Sequence, residues 1–421
     1  MSNGVGPSWL TSPLPEEDLA SLREDLRAFD SAVQQTIAEL EGFALFDEAE
    51  ESPCGEAAAL LELCWQALDS PPTGDASPAL ALSEACWKRL QEHRGWPNQA
   101  WQEAFVWAGP LSALQAAPRP LSLALIDKAL AFCPPAGPPA LLLQRFSAIL
   151  DPPQAPSSRD GVPSLFPSSL PAAPPPSPHP RRTRWGLPSV THPLPECSPE
   201  ALPQLIAAAS HPVVLRGAAA LWRWRAGERW ADGLASGLGH RLVPVEFGSA
   251  CGGELPREEF RSLAEFAEML SDPTLDPVPY LAQHCLFDQF PQLRQDFAAP
   301  PFLMPAQVFR VNGWLGPAGT ITELHTDTCD NLFVQVLGFK YIRLYAPDQS
   351  DHLYAPLDRS NFSPVTCEDE QLDSFPDARH ARFQDTILEP GDAVFFPALH
   401  WHYLRALSPS FSVNFWLADD H

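Results

Sequence analysis

Apolar residues recur at three- and four-residue spacing from Pro15 onward, at Leu19, Leu22, Leu26, Phe29, Val33 and Leu40, with Glu and Asp at positions between them. That period predicts one amphipathic helix, started by the punctuation at Ser12 and Pro13. Comparable stretches predict further helices over 56–68, 77–91, 101–116, 122–132 and 139–150, each broken by Pro, Gly or Asp-Ser clusters. Consecutive helices of this kind are expected to pack as antiparallel pairs, a repeat-like helical layer. Their spacing is too irregular for a named repeat.

Beyond Trp185 the period shortens. Pro212-Val213-Val214-Leu215-Arg216-Gly217 and Arg241-Leu242-Val243-Pro244-Val245-Glu246-Phe247 read as short strands, followed by a helix over 262–270. Strands are then expected over 307–314, 320–327, 331–336, 340–345, 382–388, 393–397, 402–406 and 411–416. Leu337-Gly338 reads as a tight hairpin. Glu389-Pro390-Gly391-Asp392 has Pro and Gly where a type II turn needs them. Many short strands in one half predict a jelly roll or double-stranded β-helix, the cupin architecture. The fold class is therefore α+β, with an all-α N-terminal domain and a C-terminal jelly roll.

Between the two textures, residues 151–184 alternate Pro with Ser and Ala and carry few apolar anchors. Such a segment buries too little surface to fold and reads as a semi-extended linker. The expected organisation is 1–150 helical interaction domain, 151–184 linker and 185–421 catalytic domain. Arg181-Arg182-Thr183-Arg184 closes the linker, either as a short basic import signal or as a solvated end.

The formal charge of −25 argues against non-specific binding to nucleic acid or to anionic membrane. It suits basic partners such as Lys/Arg-rich protein segments, or serves solubility alone. The nine Cys are dispersed, with no C-x-x-C pair, and read as reduced intracellular thiols. No secretory signal is visible at the N-terminus and no apolar run is long enough to span a bilayer. The expected location is intracellular, nuclear or cytoplasmic.

Candidate chemistry gathers at His325-Thr326-Asp327 and at a distant histidine in Pro397-Ala398-Leu399-His400-Trp401-His402-Tyr403. Two imidazoles and one carboxylate in this order are the protein ligand set of non-haem Fe(II) oxygenases, leaving positions for a cosubstrate and O2. On a strand, residues i and i+2 point the same way, so His325 and Asp327 could share a metal. By local spacing either His400 or His402 could complete the set. Lys340 would start a strand whose alternate residues Lys340, Ile342 and Leu344 share one face. It is there either to meet an anion or to snorkel to water from a corner. Thr322 and Asn331 bracket the motif at positions able to bond a carboxylate or keto acid.

Several stretches carry a resemblance: Val278-Pro279-Tyr280-Leu281-Ala282-Gln283-His284, Asn312-Gly313-Trp314-Leu315-Gly316-Pro317, Phe333-Val334-Gln335-Val336-Leu337-Gly338-Phe339-Lys340-Tyr341 and Trp401-His402-Tyr403. Together they resemble the Jumonji C (JmjC) family of 2-oxoglutarate oxygenases, across about 212–416. A weaker similarity covers Cys86-Trp87-Lys88-Arg89-Leu90, Trp96 and Trp101. The resemblance implies Fe(II) held by His325, Asp327 and His402, with His400 left to an exposed or supporting role. It implies 2-oxoglutarate held by Lys340 with Tyr280 and Thr322 and ordered by Asn331, with O2 as the oxidant. It further implies that Glu246 and Trp314 line the place of a cationic side chain; on pattern alone they are a surface carboxylate and a core aromatic. Thr328-Cys329-Asp330 departs from the related sequences.

A carboxylate with an aromatic suits a guanidinium, so the expected activity is hydroxylation of an arginyl side chain in a protein. Histone lysine demethylation by the same chemistry is the alternative, and a catalytically silent cupin scaffold is a third reading. The expected partners are a protein presenting Arg or Lys and a possible protein on the N-terminal helices, with no direct nucleic acid and no membrane.

Overall fold

In a computed structural model, the structure describes residues 15–44, 53–68, 78–92, 99–115, 119–133, 138–151, 192–207, 211–218, 237–248, 256–270, 272, 274–295, 303, 307–355, 361–365, 367 and 374–418. Ser12, Pro13, most of the Pro-rich stretch with its basic end, Trp96 and Cys251 lie outside them. Two compact units emerge, one of residues 1–158 with 237–244 and 260–263, the other of the remainder.

The first unit is helical: α1 (Glu16–Arg27), α2 (Asp30–Ala44), α3 (Pro53–Gln66), α4 (Pro78–Glu92), α5 (Gln99–Gln115), α6 (Arg119–Phe132) and α7 (Pro138–Leu150). The single helix expected from Pro15 is two. The backbone N–H of Ala28 turns back to Asp25 and Leu26, and a new helix starts at Asp30. The three/four period continues through the turn because Leu22, Leu26, Val33, Ile37 and Leu40 all reach one core. Periodicity reports which face is buried and is silent on whether the axis continues. Helix α5 buries Ala104-Phe105-Val106-Trp107-Ala108 without a polar break. A helix apolar all round belongs in the middle of its unit, and α5 packs against each of the other six. A Cβ on Gly109 would stand 2.5 Å from that of Ala129, so glycine here lets α5 and α6 approach closely.

The second unit is an antiparallel jelly roll. The strands, of which 242–244 of β2 and 260–262 of β3 are counted in the first unit, are β1 (Val213–Leu215), β2 (Leu242–Phe247), β3 (Arg257–Ser262), β4 (Pro279–His284), β5 (Val308–Gly316), β6 (Ile321–His325), β7 (Asp330–Leu337), β8 (Lys340–Tyr345), β9 (Phe383–Leu388), β10 (Ala393–Phe396), β11 (Trp401–Ala406) and β12 (Ser410–Leu417). The large sheet runs β1-β10-β7-β12-β5-β4-β2-β3 and the small one β6-β11-β8-β9. Sequence patterning had no strand at β3 or β4. The first reads Arg-Glu-Glu-Phe-Arg-Ser, a charged strand at a sheet edge.

Two further expectations need correction. Leu337-Gly338 is a crossover, since β7 belongs to the large sheet and β8 to the small one. Gly338 has φ +74°, and a Cβ there would fall on the Pro409 carbonyl, so the chain can change sheets only without a side chain. Asp327 also lies off the strand, because β6 ends at His325. The Glu389–Asp392 turn does close, with Gly391 at φ +94° and the Asp392 N–H donating to the Glu389 carbonyl.

Strand β8 is buried on both faces. Ile342 and Leu344 pack with Phe333, Phe396 and Leu404 between the sheets. Tyr341 and Tyr345 pack outward with Trp401 and Tyr403 beneath Leu353 and Val365. Among the described residues no helix is long and apolar enough to cross a membrane.

Candidate metal and oxoacid site

Strand pairing delivers the distant histidine. Strand β11 pairs antiparallel with β6, and His402 stands opposite His325. The turn before β11 is pinned to the loop after β6. Leu399 donates its N–H to the Asp327 carbonyl at 2.7 Å, and Ala398 donates to Asp330 Oδ1 at 2.8 Å. His325, Asp327 and His402 thereby bring one ligand atom each to within 4.8 Å of one another. Their closest approaches are 3.9 Å between His325 Nε2 and Asp327 Oδ1 and 3.6 Å between His402 Nε2 and Asp327 Oδ2.

Local backbone chooses which ring nitrogen is available. His325 Nδ1–H donates to the Glu323 carbonyl at 2.7 Å, and His402 Nδ1–H to the His400 carbonyl at 2.9 Å. Both rings are therefore held in the tautomer whose Nε2 lone pair faces the other two groups. Burial pushes the His402 pKa well below its ordinary value and keeps the ring neutral, the form that binds a metal. His400 lies before β11 begins, and its Nδ1 faces the Pro397 carbonyl at 3.2 Å. Its contribution to the site is the carbonyl that orients His402.

A cavity opens beside the three groups, lined by Trp314, Thr322, Asn331, Phe333, Phe396 and Leu404. Tyr280 stands behind it, with its hydroxyl 3.3 Å from Thr322 Oγ1 and its ring against Trp314. Burial raises its pKa, so the phenol stays protonated. Lys340 is 1% exposed, and its Nζ lies 5.2 Å from the Phe333 ring centre and 5.8 Å from that of Tyr280. No described carboxylate pairs with it, and burial lowers its pKa to about 7. Glu246 is not among the lining residues. It sits on β2 directly across from Tyr280 on β4.

A cavity lined by three metal-type donors and the Thr322 hydroxyl, with the Tyr280 phenol and the buried Lys340 ammonium packed behind that lining, fits a chelating dicarboxylate. Two imidazole nitrogens and a carboxylate this close together would suit a divalent transition metal, which His325, Asp327 and His402 would hold.

Two residues beside this site escaped sequence reasoning. Asn414 on β12 bonds both Asn331 and Trp314, and its only signal is the polar alternation Ser410, Ser412, Asn414 within an otherwise apolar strand. Phe362 stacks on the His325 ring at 5.1 Å while 44% exposed. It lies in a stretch with no periodic pattern and left no signal.

The chain is 38% identical over 213 residues to lysine-specific demethylase 8 of Danio rerio, covering 49% of this chain and 52% of that protein. It is 37% identical over 215 residues to lysine-specific demethylase JMJ30 of Arabidopsis thaliana, half of each chain. A third relative, Jumonji C domain-containing protein 5 of Drosophila melanogaster, is 34% identical over 207 residues, 46% of this chain and 51% of that one. The chain thus spans about half the length of the curated relatives it matches. These relatives bear out the JmjC resemblance read from the motifs. The sequence pattern of the cupin-like domain covers residues 199–420, the span that builds the two sheets and every residue of the cavity, and the chain belongs to that cupin-like family.

Proposed function

We propose that the chain is an Fe(II)- and 2-oxoglutarate-dependent oxygenase that hydroxylates an arginyl side chain of a protein, with succinate and CO2 as co-products. One observation carries the reading: Lys340 is an ammonium buried behind the cavity without a described acid partner. A buried cation needs a counter-charge. A dicarboxylate reaching from the His325–Asp327–His402 group toward Lys340 would supply it.

In this reading His325, Asp327 and His402 hold the iron. Lys340, with the hydroxyls of Tyr280 and Thr322, holds the far carboxylate, and Asn331 orders the keto acid. Bound iron and keto acid supply the O2 activation that is coupled to oxidative decarboxylation. The chain's own work is geometric and electrostatic. The Glu323 and His400 carbonyls keep both imidazoles turned, while Phe333, Phe396 and Leu404 keep water out, so that the Lys340 charge acts through a low dielectric. Glu246 and Trp314 receive the cationic side chain, and a carboxylate with an aromatic face suits a planar, permanently charged guanidinium. The acidic balance suits a basic protein segment, and the eight described cysteines, all free, suit a reducing intracellular compartment. Partner binding is the role proposed for the helical unit.

A second reading, demethylation of a protein lysine, with histones as the alternative substrate, is favoured as far as lysine demethylation by the names of the zebrafish and Arabidopsis relatives, both lysine-specific demethylases. Hydroxylation of an N-methyl carbon gives a hydroxymethyl amine that releases formaldehyde, so the same site serves both. Fe(II)-loaded protein supplied with 2-oxoglutarate and an Arg- and Lys-containing peptide library, read by mass, separates them. One oxygen gained on Arg supports the first reading, and a methyl group lost from lysine supports the second. Absence of 2-oxoglutarate turnover with every peptide would leave only the silent scaffold. Asp327→Ala should remove iron binding and turnover together, and turnover that survives it would refute the ligand set.

A further inference from the structure

We propose that Asn414 is a positioning residue for the metal site, the middle member of a buried relay that runs from the Trp314 indole to the Asp327 carboxylate. The inference rests on the reading of Asp327 as a metal ligand. Trp314 Nε1–H donates to Asn414 Oδ1 at 2.8 Å, Asn414 Nδ2 donates to Asn331 Oδ1 at 3.2 Å, and Asn331 Nδ2 donates to Asp327 Oδ2 at 3.4 Å.

The two ends dictate the direction of the whole chain of bonds. An indole N–H can only donate and an ionised carboxylate can only accept. Each amide between them then has one orientation that satisfies both neighbours. Turning either one sets two donors or two acceptors against each other. Asn414 and Asn331 are almost wholly buried, which makes an unmade bond expensive.

Backbone register explains why this position must bridge. Strand β12 lies between β5, which carries Trp314, and β7, which carries Asn331. Trp314 lies opposite Ser412 and Asn331 opposite Trp416, so both reach Asn414 along diagonals, one from each side. Serine is too short to meet both, aspartate has no donor, and leucine has neither group. Among side chains of this size, a carboxamide offers an acceptor to one flank and a donor to the other. Asp327 sits beyond the end of β6 on an irregular stretch. Its carboxylate therefore takes its orientation from side-chain partners, and Asn331 is the one set by the relay.

Trp314, proposed to meet the substrate, and Asp327, proposed to hold iron, thus belong to one network through Asn414, which bonds Trp314 directly and reaches Asp327 only through Asn331. The test uses full-length protein with Co(II) as the probe, reading affinity and the visible absorption of the bound ion, with circular dichroism to verify folding. Asn414→Leu, close in volume but without hydrogen bonds, is expected to weaken Co(II) binding about tenfold and alter the absorption band. Trp314→Phe, which removes only the outer bond, is expected to weaken it about threefold and to add nothing in the Asn414→Leu background. A folded Asn414→Leu protein with wild-type affinity and spectrum overturns the relay, as do effects that simply multiply. Where Asn414→Leu fails to fold, Asn414→Ser carries the same expectation and the same refutation. Wild-type protein that does not bind Co(II), or binds it equally well after Asp327→Ala, overturns the metal reading underneath and the relay with it.

Discussion

Each unit of this molecule buries a cation, and the two are treated in opposite ways. In the helical unit Arg241, 2% exposed, is fully answered. Its Nε lies 3.0 Å from both oxygens of Asp127, Nη1 donates to Asp151 Oδ2 at 3.0 Å, and Nη2 donates to Ser147 Oγ at 2.8 Å. Burial would lower the pKa of that guanidinium, and the two carboxylates more than reverse the effect. In the jelly roll Lys340 is as deeply buried, has two aromatic faces for company, and has its pKa pulled down to about 7. A satisfied buried charge holds a fold together, whereas an unsatisfied one marks the place where something else is meant to bind.

The comparison breaks most directly at Lys340. Lys340→Met should lower 2-oxoglutarate affinity by roughly 100-fold or more while raising the melting temperature of the ligand-free protein, because the buried ammonium costs on the order of a few kcal/mol. Calorimetric titration and thermal unfolding on one preparation check both signs, and a variant that binds normally would return Lys340 to a structural role. Asp127→Asn should do the reverse. It should destabilise the protein by about 3 kcal/mol in denaturant and leave the affinity of the folded fraction unchanged.

Acidity separates the two cations more gently. The folded-state pKa of Lys340, about 7, lies below its ordinary value of 10.5. Between these values the unfolded chain binds more protons, so this group makes the ligand-free protein more stable as pH rises. Binding a dianion demands the ammonium, so above pH 7 the affinity for 2-oxoglutarate should fall by up to about tenfold per pH unit, with proton uptake visible across buffers of different ionisation heat. Arg241, charged throughout, should contribute no such slope. The smallest effect belongs to an exposed cation. Arg382→Ala removes a 3.3 Å pair with Asp348 in which both side chains are mostly exposed, and unfolding should shift by less than about 0.5 kcal/mol.

How far these features could be read beforehand varied with their range. Helices α3 to α7 were legible to within a few residues because each has its own apolar face or breaker. Strands β7, β8 and β12 were legible from alternation and apolar runs. The edge strand β3 was not, since an exposed edge tolerates charge and loses the pattern. The motif His325-Thr326-Asp327 was visible, but strand parity does not explain its convergence, because β6 ends at His325 and Asp327 lies on the irregular stretch that follows. Residue spacing could not choose between His400 and His402. The register of β11 against β6 puts His402 opposite His325, while His400 stays outside the strand. Asn414 was invisible because its meaning lies in two neighbours that join its strand only in the sheet.

By itself the chain determined two textures, helical then stranded, and a set of residues whose chemistry matches iron and a keto acid. Those depend on local period and residue type, which a linear reading carries. Only the tertiary structure decided that the Leu337-Gly338 turn changes sheets, that Arg241 is answered and Lys340 is not, and that Trp314 and Asp327 share a relay. Each of these depends on which groups meet across long stretches of chain, and partnership at a distance, with the burial that makes it matter, exists only after folding.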